Sequence, residues 1–125
     1  MSDYLENSVI NHYLRATAQA SPATVYVSLH TASVGDDGTG AEVTGGAYAR
    51  QAIAFGAPSN GVAANSGVIT YPTATAAWGT VTHFGIWDAV SGGNLIYWAP
   101  LTASKVIDLG DIAKFNTGDV TITNA

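Results

Sequence analysis

Cysteine is absent from this 125-residue chain, so neither a disulfide framework nor a thiolate metal site is available to it. Charge is almost as scarce, with 10% of residues charged against about 25% in an average soluble protein. Only Arg15, Arg50, Lys105 and Lys114 are cationic, and the formal net charge is −5. Without a basic stripe to displace counterions, nucleic acid is excluded as the main partner. No apolar run approaches the length of a membrane-spanning helix, which argues against a membrane partner. The opening Met1-Ser2-Asp3-Tyr4 lacks the positive segment and apolar run of a signal peptide, so synthesis and folding in a cytoplasm are expected.

What the chain does have is apolar substance, with 47% of its residues hydrophobic. Its length suits a single domain over 1–125. A folded monomer of 12.8 kDa exposes about 6,300 Å². Four basic and nine acidic side chains then give about one charge per 480 Å² of that surface. So thin a coat leaves Ala, Thr, Ser, Gly and Asn outside, and such a surface is read here as contact area covered by neighbours. A structural piece of a larger assembly, rather than an enzyme, is the expectation.

The first twenty residues read as a helix. Asp3 with Glu6 forms an N-terminal capping pair, and Leu5, Val9, Ile10, Tyr13 and Leu14 recur at helical spacing to make one apolar face. Ser21-Pro22 closes it. From residue 24 to 125 the period becomes two, as in Val25, Val27 and Leu29 alternating with Tyr26, Ser28 and His30. Residues 33–47, rich in Gly, Thr and Asp, read as a long acidic surface loop that supplies nothing to a core. Strands are then predicted at 48–55, 67–71, 79–88, 95–101, 105–109 and 120–123, with turns at Pro58–Gly61 and Ser91–Asn94. The predicted fold class is mainly β, an antiparallel β-sandwich or barrel of about seven strands with one N-terminal α-helix.

Candidate chemistry is sparse. His12, His30 and His83 lack the close spacing of a zinc site, and imidazoles bonded to nearby backbone or hydroxyl groups account for them. His83, Asp88 and a serine would imitate a hydrolytic triad, but no G-x-S-x-G elbow is present, and no catalytic residue is assigned. Glu42 and the aspartates of the Gly-rich loops read as solvated turn-formers rather than a glycosidase pair. Asp36, Asp37 and Glu42 gather three carboxylates that could hold calcium, although the spacing departs from the helix-loop-helix calcium pattern. No cofactor is therefore expected. Among the aromatic residues, alternation places Trp87 opposite Phe84 and Ile86, and Trp98 opposite Leu95 and Tyr97. At least one of these tryptophans is expected to face outward as a contact or, less simply, as a sugar platform.

Several segments carry a resemblance. Tyr4–Asn7, Ser21–Ala32, Thr44–Gln51, Ala77–Asp88 and Ser91–Leu95 are similar to small structural proteins of tailed-phage virions, and Trp78-Gly79-Thr80-Val81-Thr82-His83-Phe84-Gly85-Ile86 is the most specific stretch. The resemblance spans nearly the whole chain and implies a virion component, made in the host cytoplasm, with no catalytic residues to transfer. Such proteins are labelled as head decoration proteins or as tail-fibre proteins. A fibre shaft needs a long repetitive or coiled stretch, which is missing here. The leading expectation is accordingly a capsid decoration (cement) protein bound noncovalently to the major capsid protein and to copies of itself, as a homotrimer. The alternative is a tail-fibre, tail-tip or baseplate component, with a host receptor as partner only in that case. Leu5, Val9, Tyr13, Trp87 and Trp98 are the interface candidates.

Overall fold

Strict alternation along Val25–His30 builds a strand that is buried on both sides over its last four residues, and the rest of the molecule is arranged around it. The computed structural model describes residues 1–19 and 21–123. In chain order the elements are α1 (Asp3–Leu14), β1 (Val25–His30), β2 (Gln51–Ile53), β3 (Val62–Ala64), β4 (Ile69–Thr70), β5 (Gly79–Trp87), β6 (Leu95–Ile107), β7 (Lys114–Phe115) and β8 (Thr121–Thr123). The main sheet has the order β2-β1-β5-β6, and β3-β8 and β4-β7 form two further two-stranded sheets. All pairings are antiparallel. The result is a mainly β fold with one N-terminal helix and open sheets, not a closed barrel.

Register decides which residues share a face. Val27 lies opposite Ile86, which lies opposite Tyr97, and Leu29 opposite Phe84. These side chains form one core with Ile69, Tyr71, Trp78, Phe115 and Val120 from the smaller sheets and loops. The other face of the main sheet carries Ser28 opposite Gly85, and Gly85 opposite Trp98. Two irregularities in the β5–β6 ladder shift the register, one between Val81 and His83 and one between Ile86 and Trp87. The second pairs Trp87 with Leu95. Leu95 and Trp98 therefore share a face and pack with Val34 and Trp87 in a second cluster, whereas simple alternation separates them.

Several local expectations are corrected. The helix ends at Leu14 rather than running through 1–20, because Ala16 turns left-handed (φ 54) and the Thr17 N–H closes on the Asn11 carbonyl at 2.8 Å. Residues 20, 124 and 125, within the predicted helix and β region, lie outside the described residues. The cap is Ser2, whose hydroxyl accepts the Leu5 N–H at 3.2 Å, so Asp3 lies inside the first turn rather than capping it. The two strands predicted at 95–101 and 105–109 are one, β6, whose extra residues are absorbed at the first ladder shift. β3 was not predicted. It is entered through a tight turn at Asn60 and Gly61, both at positive φ, with paired Ser59–Val62 hydrogen bonds. The loop 33–47 is not empty of core residues, since Val34 and Val43 are buried.

Candidate interaction surface

The polar face of the main sheet collects many of the titratable residues that the sequence singles out, and it is closed. Ser28 and His30 are wholly buried. The Ser28 Oγ lies 2.7 Å from His30 Nε2 and accepts the Trp87 indole N–H at 2.7 Å. Gly85 makes this possible, because a Cβ there would stand 2.8 Å from the Ser28 Oγ and 3.0 Å from the Trp87 Nε1. Above the Trp87 ring, at 3.9 Å from its centroid, lies the Arg50 guanidinium. Arg50 donates to both Glu42 oxygens, from Nη2 at 2.8 Å and from Nε at 2.9 Å, and its Nη1 donates to the Ala89 and Gly92 carbonyls. Tyr48 donates to Glu42 at 2.6 Å and accepts the Leu29 N–H. One cation thus ties the 42–50 segment to the turn before β6.

Electrostatics follow the same geometry. Burial by itself pushes the Glu42 carboxyl up, but hydrogen bonds from Arg50 and Tyr48 and the Arg50 charge outweigh it and leave Glu42 below its ordinary range. Burial pushes the Tyr48 hydroxyl far up, and the Glu42 carboxylate adds to this. Burial likewise holds His30 below its ordinary value and so keeps it neutral, although Glu42 opposes the shift. The His30 Nδ1 has no hydrogen-bond partner among the described residues. A serine–histidine pair at hydrogen-bond distance is half of a nucleophilic arrangement, yet neither side chain has any surface toward solvent.

The other sequence candidates are dispersed. Asp88 accepts from the Asn94 N–H and side-chain amide, closing the 88–94 turn, while the His83 Nδ1 lies 2.7 Å from the Thr82 hydroxyl. His83, Asp88 and a serine are not assembled. Asp36 accepts the Trp98 indole N–H at 2.8 Å, Asp37 accepts from the Thr39 N–H and hydroxyl, and Glu42 is engaged by Arg50. Three carboxylates are directed to three different neighbours, and among the described residues no group of three His, Cys, Asp or Glu side chains is placed to hold a metal.

Of the interface candidates, Trp87 is buried. The outward reading fails because the second face is itself covered, by Arg50 and the loop residue Val34. Trp98 is half-buried, with its indole beside the His83 ring at 6.0 Å between centroids. Leu5 is half-buried, and Val9 and Tyr13 are exposed. The sequence reading missed Arg50, whose signal was there: a lone cation beside a short strand in a charge-poor chain needs a partner. It also missed the buried Asn65, whose amide ties Gly67, Asn116 and Val120 together.

Exposed apolar side chains occur on several elements, Val106, Leu109 and Ile112 among them, and α1 carries another group. The helix is held at its start, where Ser2 N–H donates to the Ile96 carbonyl at 3.1 Å, Asp3 N–H to the Asp36 carbonyl and Ser2 hydroxyl to the Leu95 carbonyl. The helical residues partly covered are Leu5, Ser8 and Asn11, three apart on one narrow stripe. Val9, Ile10, Tyr13 and Leu14 are 39%, 48%, 76% and 79% exposed. The helix thus turns one leucine and two polar residues inward and much of its apolar face outward, unlike a helix that serves its own core. A groove of about 700 Å³ runs beside it, lined by Tyr4, Leu5, Val9 and Tyr13 and, across from them, by Pro22 and Ile96.

A family model described as "Podophage GP4 fiber I protein gp80" matches residues 1–123. No curated protein matches the sequence at a significant level.

Proposed function

Because the chain belongs to the Podophage GP4 fiber I protein gp80 family, we propose that it is a structural, non-catalytic subunit of the fibre apparatus of a podophage virion. The observation that carries the reading is the family match, which spans 123 residues rather than one segment. Two features of the molecule support it. The serine–histidine pair is sealed from solvent, so the polar network acts as a lock on loops rather than as a reaction site. The apolar face of α1 is directed away from the body, as an element that docks on other proteins would be. In this reading the partners are other virion proteins and copies of the chain, held by noncovalent contacts.

The family description favours the fibre over the head shell, and particle imaging tests that choice. Electron microscopy of purified virions labelled with gold-conjugated antibodies raised against the purified chain is expected to place the label on fibres at the tail. Label spread over the head surface alone would replace the fibre reading with capsid decoration.

A further inference from the structure

We propose that residues 33–47 form an acid-released strap, which lies closed over the second face of the main sheet while the His30 ring is uncharged and lifts when that ring takes up a proton. The proposal concerns the purified chain and is independent of where the protein sits on a particle.

Geometry makes the strap the cover that yields first. Within it only Val34 and Val43 are buried, and Val34 packs with Trp87 and Leu95. Gly38 lies against the same two side chains, since a Cβ there would stand 3.0 Å from the Trp87 ring and 3.2 Å from the Leu95 Cβ. Few bonds hold the base: Thr31 N–H donates to the Ala41 carbonyl and Val43 N–H to the Leu29 carbonyl, while Arg50 and Tyr48 hold Glu42. Further out, Asp36 accepts the Trp98 indole N–H with its side chain and the Asp3 N–H with its carbonyl. β1, by contrast, is an inner strand with β2 on one side and β5 on the other. Local opening takes the least costly route, so the His30 ring reaches water by lifting of the strap rather than by dismantling of the sheet.

His30 sits at the base of the strap, opposite Glu42 in an isolated bridge on one side and opposite His83 of β5 on the other. It is wholly buried. Its Nε2 lies on the Ser28 hydroxyl, and its Nδ1 has no hydrogen-bond partner among the described residues. A neutral ring tolerates this, whereas an imidazolium has two N–H donors to satisfy and a charge to solvate. The groups that face it are Ser28 on its own strand, His83 from β5, Glu42 and the Gly40 carbonyl from the strap, and Arg50. Glu42 and the carbonyl favour a cation there, but Glu42 is already engaged by Arg50, whose own charge opposes a second one. Burial outweighs the attraction and keeps the ring neutral while the strap is closed. In the open form that burial is gone, and the ring takes a proton near its ordinary 6.5. Opening is therefore favoured as pH falls below that value, by at most about tenfold per pH unit, until the closed form is itself protonated. Glu42 titrates below its ordinary 4.5 and stays charged through this window. Lifting withdraws the Asp36 carbonyl from Asp3 and uncovers Trp87, so acid acts at the start of α1 as well as on the sheet.

Hydrogen exchange of the full chain at about pH 7.5 and about pH 5.5, with rates corrected for the intrinsic effect of pH, reads the opening directly. Protection at the Gly38, Gly40 and Val43 N–H groups, which are bonded within the strap or to its base, should fall severalfold at the lower pH, with about tenfold as the ceiling. The β1–β5 amides should keep theirs. The absence of native cysteine allows a second readout. Val34→Cys should react faster at the lower pH with a disulfide reagent that works in acid, each rate being taken relative to the urea-unfolded chain at the same pH. His30→Gln, which can still bond Ser28 but takes up no proton, should abolish the pH effect in both measurements. Unchanged protection of the strap, a loss shared equally by the β1–β5 amides, or a pH effect that survives His30→Gln would each overturn the proposal. The first two are read on the wild type and need no variant.

Discussion

Arg50 shows what one side chain does in a molecule with few charges. Its guanidinium meets a carboxylate, two carbonyls and an indole face, and its side chain is only 6% exposed. Truncation to alanine leaves the half-buried Glu42 without its cation and removes the cover of Trp87, so Arg50→Ala is expected to cost about 3 kcal/mol in urea unfolding. Arg50→Lys should recover only part, because an ammonium cannot span the same acceptors. His30 gives the residue scale its pH dependence. The unfolded chain takes up a proton at this imidazole as pH falls through about 6.5, while burial holds the folded pKa lower. Stability therefore declines as pH drops below that value, since the unfolded state binds more protons there. Glu42 adds a further decline at lower pH, because its folded carboxyl lies below the ordinary 4.5 and its contribution fades as pH falls through the folded value. Urea midpoints across this range should show both steps, and His30→Gln should remove the upper one. The role of Arg50 was not visible in the sequence, because its hydrogen-bond partners lie 8 to 42 residues away along the chain. His30 bonds Ser28 two residues away on its own strand, and what the sequence did not show is the burial of that pair.

At the scale of elements, α1 is attached at one end and free at the other. The Ser2 hydroxyl both caps the helix and reaches the Leu95 carbonyl, so Ser2→Ala should cost about 1 kcal/mol. Hydrogen exchange should quicken in α1 and leave the β1–β5 amides unchanged, which localises the effect to the helix. The long edge strand β6 manages its open side differently. It carries Pro100, an irregular stretch at 101–104 and the exposed Lys105, features that discourage pairing with another sheet. Helix and strand were both anticipated from periodicity, but their limits were not. The helix stops where the backbone turns left-handed at an alanine, and β6 continues through residues that read as a break, because pairing with β5 on either side of the bulge outweighs local preference.

Over the whole molecule, the accessible surface is 6786 Å², close to that expected from its mass, so the thin charge coat is a property of the folded exterior. One consequence is a narrow margin of colloidal stability. With a net charge of −5 and an isoelectric point near 4.7, light scattering at constant protein concentration should rise steeply as pH approaches 4.7 and fall again below it.

Composition and periodicity by themselves determined the class of the protein: a cysteine-free, charge-poor, mainly antiparallel β chain with one N-terminal helix. Those properties are local or additive, so they survive in a one-dimensional reading. How far each tryptophan is covered was decided only by tertiary structure, because Arg50 and Val34 close the second face over Trp87 and a single extra residue in the β5–β6 ladder brings Leu95 onto the face of Trp98. The same holds for the direction of the helix. Its apolar residues predict a buried face, yet two hydrogen-bonded residues at its start set its orientation and leave that face turned outward. An amphipathic pattern specifies that one side must be covered, and the position of the anchor decides whether the cover is the chain's own core or a neighbour.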